Sequence, residues 1–116
     1  MTSEIRVDKI HNEGGDNDSG LDMSTNDVVA VKIAGSEKAR FDATGNFLIG
    51  TTSQFKSCKS GIVFDGTNFN GMCLQTTRTG TGSAYLGFVN SAGDFAGDVS
   101  QTGTTTVAYT TSSDYR

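Results

Sequence analysis

Residues 86–110 read Leu-Gly-Phe-Val-Asn-Ser-Ala-Gly-Asp-Phe-Ala-Gly-Asp-Val-Ser-Gln-Thr-Gly-Thr-Thr-Thr-Val-Ala-Tyr-Thr, and their rhythm decides the fold class. Gly87 to Asn90 runs into Ser91-Ala92-Gly93-Asp94; Phe95 to Ser100 runs into Gln101-Thr102-Gly103-Thr104; Thr105 to Tyr109 follows. Each unit of about ten residues is one short strand and one four-residue turn. A glycine in the third turn place supplies the positive φ that such turns often need. β-Branched Thr and Val fill the strands, where they suit a pleated surface.

The same grammar appears earlier in the chain. Val29, Val31 and Ile33 alternate with other residues, and Gly35-Ser36-Glu37 can turn the chain. Ala39 and Phe41 lead into Ala43-Thr44-Gly45-Asn46, and Phe47 to Gly50 follows. In the less regular middle, Gly61–Gly66, Met72–Gln75 and Ser83–Leu86 read as strands, with Thr76–Gly82 a Thr/Gly loop. No 11-residue window carries the i, i+3, i+4, i+7 apolar pattern of a helix. Ser36–Phe41 could start one, but Gly35 and Gly45 leave it too short. The expected class is all-β.

At the N-terminus, Ile5, Val7 and Ile10 lie among charges in MTSEIRVDKI and predict a short strand. Residues 11–27 are acidic and rich in Gly and Asn, which predicts a connector. Asp16, Asp18, Asp22 and Asp27 invite a calcium reading there. A calcium loop would want a ligand where Gly20 stands and Gly where Leu21 stands, so a solvated connector is the reading preferred. The expected division is 1–27, an N-terminal strand and acidic connector, and 28–116, a β-rich body.

Composition bounds the core. Thr, Gly and Ser fill 43 of 116 positions, while Leu, Ile, Val and Phe fill 24. That is about a fifth, close to the level below which chains are usually disordered. Chains this small and this short of apolar bulk need disulfides, a metal or oligomerisation. Cys58 and Cys73 allow one disulfide but neither a disulfide framework nor a zinc site, and two buried thiols are the expectation. Self-association remains as the source of a core.

The net charge of −4 argues against nucleic acid as a partner, and no Lys/Arg cluster exists. Nothing approaches the length of a membrane span, nor does the N-terminus carry a charged n-region followed by an apolar h-region. His11 is the only histidine and lies in a polar stretch, which disfavours Ser-His or Cys-His catalysis. A polysaccharide-degrading reading would need two carboxylates across a cleft. Asp65, Asp94 and Asp98 are available, but all are next to Gly, where Asp serves local turns. Tyr85, Phe69 and Asn70 sit in or beside polar loops and suit sugar faces, or equally the seam between chains. No cofactor is expected.

Phe88, Asn90, Gly93, Gly97, Val99, Gly103 and Tyr109, then Thr111-Ser112-Ser113-Asp114-Tyr115-Arg116, carry a resemblance. This run resembles the stretch leading into the endosialidase-type intramolecular chaperone of phage tail fibres and tailspikes. Ala39-Arg40-Phe41-Asp42 with Gly45 through Thr52 is similar to a repeat of the same fibres, as is the opening MTSEIRVDKI to their N-termini. The resemblance touches roughly half the chain. It implies an interwoven homotrimeric fibre of β-prism or triple β-helix type, with 28–116 as fibre body ending at the chaperone junction. It implies a structural protein of the virion tail, attached to tail or adaptor proteins and meeting a host surface glycan or protein receptor.

The family's self-cleavage nucleophile matches Ser113, and its Lys partner would stand at position 118, past Arg116. Without that base the hydroxyl is not activated, so no catalytic residue is expected within these 116 residues. A polysaccharide-degrading tailspike fragment, a capsid decoration fibre and a bacterial trimeric adhesin are the competing readings.

Overall fold

Residues 2–111, described by a computed structural model, form nine short strands and no helix. The fold is all-β. Six strands make one sheet in chain order: β1 (Lys9–His11), β2 (Gly20–Asp22), β3 (Val29–Ile33), β4 (Ser36–Phe41), β5 (Phe47–Ile49) and β6 (Ser60–Ile62). Neighbours run antiparallel except β5 and β6, which are parallel. A second sheet holds β7 (Ala84–Val89), β8 (Phe95–Gln101) and β9 (Val107–Thr111), all antiparallel. The chain divides into two compact units, residues 1–71 and residues 72–116, each with one sheet.

The turns follow from Asx chemistry. Between β4 and β5, Asp42 Oδ1 accepts from Thr44 N at 3.0 Å and Asn46 N at 2.9 Å, while Gly45 N donates to Asp42 O at 2.9 Å. Gly45 takes the expected positive φ of 79°. Between β7 and β8 the sequence Asn90-Ser91-Ala92-Gly93-Asp94 repeats the arrangement. Asn90 Oδ1 accepts from Ala92 N and Asp94 N, both at 2.9 Å, and Gly93 N donates to Asn90 O. Asp and Asn thus exchange places at the two ends of one turn type, because either side chain offers the acceptor oxygen that the turn amides need.

Several expectations shift. Only Lys9 and Ile10 of the first ten residues belong to a strand, and Ile5 is 90% exposed. Part of the stretch read as connector is sheet: Asn12 N donates to Ser19 O at 3.0 Å, and β2 pairs on both sides. Asp22 explains this, since its carboxylate faces Lys9 and Lys32 across the two neighbouring strands. The turn after β3 centres on Ala34 and Gly35, with φ of 51° and 71°, one residue earlier than Gly35-Ser36-Glu37. Ser36–Phe41 is strand rather than a helix start. Residues 72–75 are not strand. Gly103 lacks the positive φ, and the β8–β9 link is closed instead by Thr102 N donating to Thr106 O at 3.0 Å.

Candidate functional site

Side chains directly opposite one another on paired strands share a face, so the register sorts the first sheet into two surfaces. One carries the row Lys9–Asp22–Ala30–Arg40–Leu48–Gly61. Here Lys32 Nζ lies 2.8 Å from Asp22 Oδ2, and Lys9 Nζ lies 3.8 Å away. Ser24 donates to Asp22 Oδ1 through both N and Oγ. The Lys32 contact first, then those from Ser24, hold the Asp22 carboxyl well below the usual carboxylate range. Arg40 grips both oxygens of Glu37 through Nε and a terminal nitrogen, at 2.8–3.2 Å. Leu48 is fully buried and Ala30 nearly so. The Phe55 ring closes over Gly61 and leaves no room for a side chain there. This surface carries charge, and both of its carboxylates are engaged by cations of the same chain.

The opposite surface is apolar and open. Its central row is Ile10–Leu21–Val31–Ala39–Ile49–Ile62, one residue from every strand. A second row places Val29, Phe41 and Phe47 side by side, the two rings stacked at 4.9 Å. Val31 is 36% exposed and Phe41 53%. The second sheet repeats the pattern, with Leu86, Val99 and Tyr109 in one row and Phe88 edge-on to Tyr109 at 5.8 Å. Met72, Leu74 and Tyr85 join Leu86, Val99 and Val107 around a shallow apolar groove. Among the described residues only Val28, Ala30 and Leu48 form a buried apolar core, against twenty-one exposed large apolar residues.

Residues singled out from the sequence are placed as follows. Asp65 closes a turn, accepting from Thr67 N at 2.9 Å and Asn68 Nδ2 at 2.6 Å, which lowers its pKa. Asp94 ends the Asn90 turn. Asp98 is not at a turn but within β8, opposite Thr110, whose hydroxyl donates to it. Of Asp16, Asp18, Asp22 and Asp27, only Asp22 is buried, and it is committed to lysines and Ser24. No three His, Cys, Asp or Glu groups among the described residues are placed to hold a metal ion. His11 Nδ1 lies 2.6 Å from Asn17 O on an exposed hairpin.

Cys58 and Cys73 are free and exposed, against the expectation of buried thiols. Both lie in irregular segments with no sheet to cover them. Tyr85 is half-buried in the apolar groove, whereas Phe69 and Asn70 are exposed. Ser113 lies outside the described residues.

What sequence reading missed is the inversion of the first sheet. Alternation shows that β3 has two faces, but not that the chain itself covers the one bearing Lys32 and leaves Val29, Val31 and Ile33 open. Compared with known protein families, curated proteins and solved structures, the chain matches none.

Proposed function

We propose that this chain is a structural protein of a phage virion. In this reading it is a short homotrimeric tail fibre that attaches to the tail and meets the host surface. One observation carries the self-assembly in this reading: among the described residues, three buried apolar residues stand against twenty-one large exposed ones. So many large apolar side chains open to water are unusual for a lone folded chain, and several copies wound together would cover them. Interwoven strands of a β-prism or triple β-helix would also pair the open edges of β1 and β6. The tail assignment comes from the fibre-like motifs at Phe88–Tyr109 and Ala39–Thr52. Three engaged carboxylates favour a structural over a polysaccharide-degrading role. Asp65 and Asp94 serve turns, and Asp98 accepts a cross-strand hydroxyl.

The test is immunogold labelling of intact virions with antibodies raised against the purified chain. Gold confined to the tail is the expected result. Gold on the capsid would make it a decoration fibre, and virions free of gold would remove the assignment. Incubation with capsular polysaccharide should release no oligosaccharide.

A further inference from the structure

We infer that the open apolar face of the six-stranded sheet, centred on Leu21, Val31 and Phe41, is the surface on which a second copy of this chain docks, with the Asp22–Lys32–Arg40 face turned outward. The inference rests on the self-assembly reading above and adds which surface makes the contact.

Three features point to a second copy rather than another occupant. The first is area. The face itself contributes on the order of 600 Å², taking its seven exposed large residues at roughly 150–200 Å² each and one-third to one-half open. That reaches the upper limit for a patch on a monomer, and approaches the roughly 800 Å² each partner gives to a standard interface.

The second feature is charge. No ionised side chain stands in the row Ile10–Leu21–Val31–Ala39–Ile49–Ile62. The centre of an identical face can therefore approach without desolvating a charge, Asp8 standing only at the sheet edge beside Met23 and Ile10. The third is where the chain places its charges. Lys9, Asp22, Lys32, Glu37 and Arg40 form ion pairs on the opposite side. Both carboxylates there are engaged, and the chain itself buries Ala30 and Leu48 on that side, which leaves less apolar surface for a partner to cover.

Cysteine cross-linking of the full chain tests this. Cys58→Ser and Cys73→Ser remove both exposed thiols, after which Val31→Cys puts one thiol on the proposed contact face and Lys9→Cys puts one on the opposite face. Under copper phenanthroline in air, Val31→Cys should give covalent dimer from up to about two-thirds of chains, the limit for one thiol in each of three copies. Lys9→Cys should give at least about tenfold less. Leu21→Cys should behave like Val31→Cys and replaces it if that variant fails to fold. Val31→Asp, which forces a charge into the contact, should weaken association by about a hundredfold or more.

If the parent chain sediments as an assembly while Lys9→Cys cross-links as well as Val31→Cys, this face assignment is wrong and the assembly reading stands. If the parent chain is a folded monomer, both are wrong. Failure of the face variants to dimerise, with uptake onto neutral lipid vesicles, would replace the second copy by a membrane surface.

Discussion

Asp42 shows how one side chain can build a turn and, with Asp22 and Asp65, contribute to stability above the acid range. Its carboxylate accepts from Asn46 N, from Asn46 Nδ2 at 2.9 Å and from Thr44 N and Oγ1. The Asn46 contacts, with those from Thr44 behind them, lower its pKa from 3.8 to about 2. The folded-state value lies below the unfolded one, so this stabilisation is fully present above about pH 4. It is lost as pH falls through about 2. Melting temperature should therefore fall between pH 4 and pH 2. Asn90 already does the same job in its own turn, so Asp42→Asn should still fold. It should melt lower at pH 7 and lose less on acidification. An unchanged acid limb in that variant would show that Asp42 does not contribute to it.

Gly50 is a second residue whose identity is fixed by geometry. It holds φ of 73°, and a Cβ there would collide with the Val63 carbonyl of the chain leaving β6. Gly35 has nearly the same φ of 71° but open space around it. The pair separates backbone strain from steric exclusion. Gly35→Ala should cost about 1 kcal/mol and Gly50→Ala more than about 2 kcal/mol, read from thermal melting at matched protein concentration. Equal losses would contradict the close approach of Gly50 to Val63.

At the scale of elements, the β3–β4 hairpin is the informative case. Both central residues, Ala34 and Gly35, have positive φ, the geometry of a two-residue type I′ turn. Asn and Gly suit those places, and alanine does not. Ala34→Asn should raise stability by about 0.5–1 kcal/mol, and a loss would mean that the turn is of another kind. Because alanine carries no turn signal, the sequence points to Gly35-Ser36-Glu37 and misplaces the turn by one residue. In a strand, such a slip exchanges the two faces. The turn itself sets Glu37 opposite Lys32, and a register shift beyond it, between Val31 and Lys32, places Ala39 rather than Lys38 opposite Val31. The turns at Gly45 and Gly93 are legible because glycine and Asx mark them together. The link at Gly103 is not, since a backbone bond and a hydroxyl pair between Thr102 and Thr106 close it.

At the scale of the whole molecule, the scarcity of Leu, Ile, Val and Phe already states that one chain cannot enclose a proper core. Only Val28, Ala30 and Leu48 are buried apolar residues among those described. Which face of the first sheet is covered was not legible. Alternation is symmetric, and the choice rests on ion pairs joining Lys9, Asp22 and Lys32 across three strands. Asp22 also explains why an acidic, glycine-rich stretch folds into the sheet: residues 20–22 bring a carboxylate to two waiting lysines.

In the proposed assembly each chain supplies one part of a core shared between copies. Sedimentation equilibrium of the full chain at micromolar concentration tests it most directly. With a chain mass of 12.2 kDa, three copies give a particle of about 37 kDa. That mass, with no folded monomer on dilution into the nanomolar range, is the result predicted. A stable, cooperatively folded 12.2 kDa monomer would contradict it.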